Sequence, residues 1–468
     1  MVAEYINKNY LLDKLNVKVN FIYMSGDDYK SRVPTMVAAG QDMGILAFGG
    51  NLPYINNATL GAFAPMDGLL NEYGKGTKEL FPDIVWDCMK VGGSIYGVPA
   101  LKDNCYIMSQ HYNVTLAEEL GIDMSGITYT KSHSPEMEQL LLDVLQKRNE
   151  KHPEWRDHPI FNYTSSAWPW NFAIEVFIGG MLGAVCNIPE LMEIKGYDET
   201  TVFNLYETPE YYEYAKIAQR YVESGIYPYE YDDSKRAIWN YSGGLFLYIS
   251  WGNIRPGVNY FFADNFDVRL IPPARTWTET GNYLTAGTSI SSQCANKERA
   301  MMLINLINTD VFFASTMRFG IEGEHWVINE KGEKTMEGSK RNKGKNIGEW
   351  GFRHWYAPTL GNVLIVDAPP SMVGPDNELQ RLLKEANDNT HMPSHMGFVM
   401  NQEPLMTEIA AVSAVVEEYT KTIQSGQLPN ESAVVQTLDE FNAKLYANGL
   451  QRIIDGLTEQ TAAWRAAR

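Results

Sequence analysis

The chain has 468 residues, a formal charge of −18 and a hydrophobic content of 44%. This length exceeds what one hydrophobic core usually fills, so we expect a globular protein with two lobes. The negative charge repels nucleic-acid phosphates and anionic lipid headgroups, which argues against both as partners.

Strands and helices alternate in the N-terminal part of the chain. The segment VKVNFIY (17–23) has apolar residues at every second position, which predicts a strand. A helix is predicted to end at Gly40, and further strands are predicted at 44–48 and 94–100. Strands separated by helices predict an α/β fold with a parallel or mixed sheet that has helices on its faces.

Two later helices carry clear start signals, Ser134-Pro135 and Thr208-Pro209, and the second is predicted to end at Gly225. The segment GGLFLYIS (243–250) has the length and composition of a buried strand. From about residue 403 the pattern is helical only, with predicted helices at 403–426, 433–447 and 450–466. The α/β fold is therefore expected to carry a helical C-terminal extension.

The chain has no run of about eighteen apolar residues and no signal peptide. It begins with MVAEYINKNYLLDKL, which is already patterned as a helix, so a mature form, a truncated form and a cytosolic protein all fit this beginning. The cysteines Cys88, Cys105, Cys186 and Cys294 form no C-x-x-C pair, which argues against structural zinc. Disulfide pairing and free buried thiols both remain open.

No catalytic constellation stands out. His391 and His395 have a metal-like spacing, but Pro393 between them prevents a regular helical face. The chain has no dinucleotide-binding loop, phosphate-binding loop or G-x-S-x-G motif, and no pair of carboxylates is distinguished in so acidic a sequence. We expect no catalytic residue, no metal and no cofactor.

A binding pattern remains. Six loops combine aromatic residues with amides, glycines and charges: 23–29, 48–54, 101–106, 165–171, 250–257 and 349–356. In open α/β sheets, ligands bind beyond the carboxyl ends of strands. Sugars stack their C–H faces on aromatic rings and need fixed donors and acceptors for their hydroxyls. We therefore predict a carbohydrate ligand, with Trp168 or Trp170, which flank Pro169, facing it.

Three segments together resemble the extracellular solute-binding proteins of sugar ABC transporters, and most closely the lipoproteins common in Firmicutes. Residues 61–100 resemble the segment that ends in the family's Gly-x-x-Tyr-x-Val-Pro turn. Residues 282–326 resemble the returning strand and helices, with the motif Phe-Gly-Ile-Glu-Gly-x-His. The helices from residue 403 onward are similar to the C-terminal domain of uncharacterised role in this subgroup.

The resemblance implies a two-lobed, type II binding-protein fold with a ligand cleft between the lobes and hinge closure. It implies an N-lobe of 1–104 with 283–325, a C-lobe of 105–282 with 326–402, and a helical extension at 403–468 packed on the C-lobe. It also implies a monomeric cell-surface lipoprotein that delivers an oligosaccharide to a membrane permease. Two departures are expected to matter: no strand precedes the first helix, and Gly44 stands where the family often has Asp.

The predicted ligand-binding residues come from the loops that follow strands. They are Trp168, Trp170, Trp251, Tyr54, Asp103, Asn104, Arg255, Asn253, Phe48, Asp28, Trp355 and Tyr356. Two alternatives of other classes remain open. One is a glycan-active enzyme that uses cleft carboxylates, and the other is a peptide-binding lipoprotein, which would need more backbone-pairing edges and fewer aromatic surfaces.

Overall fold

The computed structural model describes residues 1–105, 108–125, 127, 134–163, 185–186, 201–227, 244–251, 268–271, 276, 278–335, 339–340, 361–368, 370 and 375–468. The chain forms two compact units. Unit 1 contains Met1–Cys105 and Thr278–Asn389, and unit 2 contains Tyr106–Trp277 and Thr390–Arg468. Residues 326–389 thus belong to unit 1, whereas the sequence analysis assigned them to the C-lobe.

The helices are α1 (Val2–Ile6), α2 (Leu12–Leu15), α3 (Gly26–Ala38), α4 (Tyr54–Thr59), α5 (Asp67–Tyr73), α6 (Lys75–Lys78), α7 (Asp83–Cys88), α8 (Val114–Leu120), α9 (Pro135–Lys151), α10 (Pro209–Ser224), α11 (Thr280–Leu284), α12 (Lys297–Thr309), α13 (Val311–Phe319), α14 (Glu378–Asp388), α15 (Met406–Gln424), α16 (Glu431–Ala447) and α17 (Leu450–Ala466). A π-helical turn, Asn7–Leu11, joins α1 to α2. Short 3-10 segments lie at Pro153–Trp155, Leu205–Glu207, Pro375–Asn377 and Glu403–Leu405.

The strands are β1 (Ile45–Gly49), β2 (Lys90–Val91), β3 (Ser94–Ile95), β4 (Val98–Pro99), β5 (Met108–Asn113), β6 (Phe161–Tyr163), β7 (Val185–Cys186), β8 (Phe203–Asn204), β9 (Leu247–Trp251), β10 (Val268–Ile271), β11 (Ala286–Ile290), β12 (Val327–Ile328) and β13 (Lys334–Thr335).

The main sheet of unit 1 has the order β1-β11-β4, and β11 runs antiparallel to both neighbours. Residues 361–363 add a further strand-like segment beside β4. The Leu101 N–H donates to the Gly361 carbonyl at 3.2 Å, and the Val363 N–H donates to the Leu101 carbonyl at 2.9 Å. These backbone bonds explain why this late segment packs with unit 1.

The prediction of a strand at 17–23 is wrong, because these residues pair with no other strand in the structure. The alternating Val17, Val19 and Phe21 instead pack against the cluster built on α1, the π-helical turn, α12 and α13. Asn7 holds this segment through two hydrogen bonds with the Val19 backbone, each 2.7 Å long. The apolar residues at every second position therefore reflect a segment that buries one side against helices, and they do not mark a strand of a sheet.

The sheet of unit 2 has the order β10-β5-β9-β6. Strand β5 is antiparallel to both β9 and β10, and β6 runs parallel to β9. Strands β6, β9 and β10 therefore all run in one direction, so their carboxyl ends reach the same edge of the sheet. The sheet is mixed, as predicted, and the buried strand predicted at 243–250 is present as β9.

The C-terminal helices are part of the unit 2 core. One cluster of buried apolar residues contains side chains from α8 to α10, from β6 and β9, and from α15 to α17.

The predicted helix starts are confirmed, because the Ser134 hydroxyl accepts from the Met137 N–H and the Thr208 hydroxyl accepts from the Tyr211 N–H. In the described part of the chain, no single helix is both long and apolar enough to cross a bilayer. Helices α12 and α13 meet this length and hydropathy requirement only when they are taken together, and an 85° bend separates them.

Tyr206 brings an unpaired hydroxyl into this core. Its side chain is 0% exposed, and its ring lies 4.8 Å from the rings of both Tyr211 and Phe441. Its hydroxyl has no hydrogen-bond partner among the described residues. Burial, and secondarily the neighbouring Tyr211, raises the pKa of Tyr206 well above its ordinary value, so the hydroxyl stays neutral.

Tyr206→Phe is expected to raise the free energy of unfolding of unit 2 by about 1 kcal/mol, because a buried hydroxyl without a partner costs about 1–3 kcal/mol. Thermal unfolding followed by calorimetry checks this, with an expected rise of about 2–4 °C. Tyr212→Phe is the matched control, because its hydroxyl donates to Asp439 at 2.7 Å and its loss is expected to lower stability. A loss of stability in Tyr206→Phe would show that the hydroxyl is satisfied.

Candidate functional site

Strands β1 and β4 end at the same edge of the unit 1 sheet, which we call the unit 1 edge. Gly49, at the end of β1, is paired with Ala286, and Gly287 is paired with Pro99 of β4. A side chain at position 49 would place its Cβ 2.7 Å from the Thr285 carbonyl oxygen, so only glycine allows this close approach. The chain leaves this edge through residues 50–51 after β1 and through 101–104 after β4.

The first part of the unit 1 edge is polar and exposed. Reciprocal hydrogen bonds between the Gly49 and Leu52 backbones, of 3.1 and 3.0 Å, close a tight turn with Asn51 at its tip. The start of α3 lies beside it, where a Cβ on Gly26 would approach the Asn51 amide nitrogen to 2.9 Å. Ser25 caps α3 by accepting from the Asp28 N–H and donating to its carboxylate. Asp28 is thus exposed at the edge, in the first turn of α3, and its carboxylate accepts from the capping Ser25 hydroxyl.

Two predicted ligand residues, Phe48 and Tyr54, lie in the core of unit 1. Their exposed fractions are 1% and 2%, and their ring centres are 4.7 Å apart. The Tyr54 hydroxyl donates to the Met89 carbonyl at 2.6 Å and accepts from the Tyr96 N–H at 2.9 Å. Burial raises the pKa of this hydroxyl. Neither ring presents a face for stacking in this arrangement, and a role for them in binding stays a prediction.

The loop after β4 presents charge at the unit 1 edge. Lys102 Nζ lies 2.7 Å from Asp103 Oδ1, and the Asp103 side chain is 47% exposed. Asn104 is only 2% exposed, because its amide is used inside the loop, where it accepts from the Lys102 N–H and donates to the Ala100 carbonyl. Asp103 is therefore available to a ligand, whereas the side chain of Asn104 builds the loop.

In unit 2, three parallel strand ends define a second candidate surface, the unit 2 edge. It is formed by Tyr163, Trp251 and Ile271, the last residues of β6, β9 and β10. The sequence continues from Tyr163 into SSAWPWN and from Trp251 into GNIRPG. The sequences of two predicted aromatic loops thus follow neighbouring strands that end at one sheet edge, where α/β sheets bind ligands.

Several predicted residues lie outside the described part of the chain: Trp168, Trp170, Asn253, Arg255, Trp355 and Tyr356. Only the backbone of Trp251 is described, as the last residue of β9. The roles predicted for these residues remain predictions.

Sequence reasoning missed Thr278 and Asn387, which contact the Asp103 loop from distant parts of the chain. The Thr278 hydroxyl donates to the Asn104 carbonyl at 2.5 Å, and Asn387 bonds the backbone on both sides of Asp103. No local pattern distinguishes either residue, because a single amide in a helix or hydroxyl in a loop carries no motif. Only the fold brings them to the edge.

Metal and thiol chemistry find little support in the described residues. No group of three or more His, Cys, Asp or Glu residues is placed there to hold a metal ion. Cys88, Cys105 and Cys294 are buried thiols outside any disulfide, and burial raises the pKa of the Cys294 thiol. The unit 1 edge instead offers carboxylate, ammonium, amide and hydroxyl groups, which suit hydrogen bonding to a polyhydroxylated ligand.

The chain has the two-unit α/β fold of the solute-binding proteins. The structure of the N-glycan transport solute binding protein NgtS from Streptococcus pneumoniae matches it with a TM-score of 0.74 and 20% identity, over 99% of this chain and 95% of that one. An HMO-binding, ABC-transporter-associated solute binding protein from Bifidobacterium longum infantis matches with a TM-score of 0.61 and 16% identity, over 97% and 94% of the two chains.

Sequence comparison agrees with the fold. A protein of S. pneumoniae serotype 4 named carbohydrate ABC transporter substrate-binding protein is 24% identical over 444 residues, which cover 94% of this chain and 83% of that protein. Residues 394–466 match the family model described as a domain of unknown function (DUF3502). The resemblance to sugar-transporter solute-binding proteins with this C-terminal domain is therefore confirmed.

Proposed function

We propose that this chain captures an oligosaccharide outside the cell and delivers it to the permease of an ABC importer. The observation that carries the proposal is the unit 2 edge, where β6, β9 and β10 end together and two aromatic loop sequences begin. The carboxylate and amide groups of the unit 1 edge add fixed partners for sugar hydroxyls. The likeness to NgtS, a protein named for N-glycan transport, over 99% of this chain supports this ligand class.

The protein is proposed to bind its glycan without chemical change, as a monomer held at the cell surface by a lipid anchor. The names of its relatives support transport, and the sequence resemblance supports the anchor. Closure about a hinge stays a prediction of that resemblance.

Calorimetric titration and thermal unfolding with Man1GlcNAc, Man5GlcNAc and kestose test the proposal. These sugars are the ligands named for NgtS and for the S. pneumoniae protein FusA, whose structures match this chain with TM-scores of 0.66, 0.61 and 0.59. A sugar at a hundred times its dissociation constant is expected to add about 2.7 kcal/mol of stability. Mass spectrometry of the recovered sugar separates the alternatives, because an enzyme would return cleaved or modified glycan. Stabilisation by peptides alone would favour a peptide-binding protein.

Trp168→Ala and Trp251→Ala are each expected to weaken binding of the selected glycan by about 10- to 30-fold. A sugar face that covers about 70 Å² of an indole contributes roughly 1.5–2 kcal/mol, which corresponds to this factor. Dissociation constants from calorimetric titration check the prediction. Trp464→Ala is the control, because Trp464 packs on Phe398 and Arg468 in unit 2, within the C-terminal domain. Unchanged affinity in both variants would rule out this site assignment.

A further inference from the structure

The loop formed by residues 101–104, the Asp103 loop, follows β4 at the unit 1 edge. Its conformation is fixed from within by Asn104, which accepts from the Lys102 N–H at 2.8 Å and donates to the Ala100 carbonyl at 2.9 Å. The Thr278 hydroxyl, which is buried, donates to the Asn104 carbonyl. Side chains therefore satisfy backbone groups that a sheet ladder would satisfy elsewhere.

Asn387 holds the same loop from outside. It lies in the last turn of α14, and its amide contacts the backbone on both sides of Asp103. Its Nδ2 donates to the Lys102 carbonyl at 2.6 Å, and its Oδ1 accepts from the Asn104 N–H at 3.0 Å. One planar side chain thus fixes the two peptide groups that flank Asp103, as the backbone of a neighbouring strand would.

The residue between these two contacts is Asp103, whose side chain is exposed and accessible to a ligand. The Asp103 carboxylate is 47% exposed, and the ammonium of Lys102, at 2.7 Å from Oδ1, orients it. A carboxylate has two acceptor oxygens, so it accepts hydrogen bonds from two adjacent hydroxyls of a sugar ring. Such recognition needs the carboxylate held in place before binding, since ordering it afterwards costs affinity.

We propose that Asn387 is a positioning residue for glycan binding: it fixes the Asp103 loop so that Asp103 accepts hydrogen bonds from vicinal sugar hydroxyls. This inference rests on the proposed function. Asn387 itself touches backbone and not ligand, so its whole effect on affinity passes through Asp103.

A double-mutant cycle on the full chain tests this inference. The probe is the sugar among Man1GlcNAc, Man5GlcNAc and kestose that the unaltered chain binds most tightly. Asn387→Ala and Asp103→Ala are each expected to raise its dissociation constant about tenfold. The double variant is expected to bind no more weakly than Asp103→Ala alone, because contacts in one network are not additive. Asn389→Ala is the control, because among the described residues its amide donates only to the Glu385 carbonyl at the end of α14.

Two results would overturn the inference while leaving the proposed function intact. One is unchanged affinity in Asn387→Ala, and the other is a further tenfold loss when that change is added to Asp103→Ala. If Asn387→Ala does not fold, Asn387→Asp replaces it, because a carboxylate still accepts from the Asn104 N–H but cannot donate to the Lys102 carbonyl. Failure of the unaltered chain to bind any sugar would instead overturn the proposed function, and this inference with it.

Discussion

Phe441→Ala is expected to lower the free energy of unfolding of unit 2 by about 3–5 kcal/mol, the usual cost of removing a buried phenyl ring. Phe441 lies on α16, within the DUF3502 match, and is 0% exposed. Its ring centre is 4.8 Å from Tyr206, which precedes α10, and 5.1 Å from Tyr419 on α15. Loss of the ring leaves a cavity where the C-terminal domain meets the rest of unit 2.

Calorimetry checks this expectation, with a midpoint for unit 2 lowered by about 6–20 °C. Val435→Ala on the same helix is the matched control, because Val435 is 38% exposed and its loss is expected to cost well under 1 kcal/mol. If Phe441→Ala and Val435→Ala unfold alike, the C-terminal domain is not part of the unit 2 core.

Arg220→Met is expected to lower the stability of unit 2 by about 2–3 kcal/mol, less than for a fully buried ion pair because Arg220 is partly exposed. Arg220 donates to Glu138 of α9 through two bonds of 2.6 and 2.8 Å and to Glu431 of α16 at 2.5 Å. Glu213 lies 3.4 Å away on its own helix, α10. These bonds, chiefly those with Glu138, raise the pKa of Arg220, and its removal leaves three carboxylates close together.

The loss of stability in Arg220→Met is expected to depend on pH, because it arises from ionised carboxylates. Partial burial raises the pKa of Glu213, but hydrogen bonds and charge from Lys216 and Arg220 outweigh it, so the net pKa lies below the ordinary value. Its contribution is therefore present above its unfolded pKa, near 4.5, and is lost as the pH falls through the folded pKa. In Arg220→Met the carboxylates repel one another, so the difference from the unaltered chain is expected to shrink as the pH falls and they protonate.

Denaturant unfolding between pH 7 and pH 4 measures this change. Lys147→Met is the control, because within the described part of the chain Lys147 pairs only with Asp143, on an exposed turn of α9, and its loss is expected to cost less than about 0.5 kcal/mol. A deficit in Arg220→Met that does not vary with pH would contradict the ionic explanation and indicate lost packing of the arginine stem.

Local chemistry in the sequence was a good guide to helices and a poor one to the first strand. Ser134 and Thr208 are recognisable caps because each acts on a backbone N–H three residues away. The strand prediction failed at Val17, Val19 and Phe21, because alternating apolar residues indicate one buried face but do not identify whether a sheet or a helix covers it. Tyr54 was predicted at a ligand surface from its place in a glycine-rich loop, yet its hydroxyl bonds Met89 and Tyr96 in the core.

Contacts across long sequence separations were the part that sequence patterns could not supply. The amide of Asn387 reaches Lys102 and Asn104, and Asn442 of α16 donates to the Tyr206 carbonyl. Each is one polar residue on a helix, with the same local signature as a solvent-exposed asparagine. The C-terminal helices themselves were predictable from their periodicity, but their place inside the unit 2 core depended on the tyrosines around α10.

The interleaving of the two units constrains the order in which this chain acquires structure. In unit 1, Ile45 pairs with Ile290, so the sheet cannot close until more than half of the chain has been synthesised. In unit 2, Leu438, Leu445 and Leu457 fill a core whose other members begin at Leu116. Closing such long loops before any contact is gained makes folding slow. All of unit 1 has been made once residue 389 is reached, but the core of unit 2 stays unfinished until the last helices have been made, and the nascent chain depends on protection from aggregation for that interval.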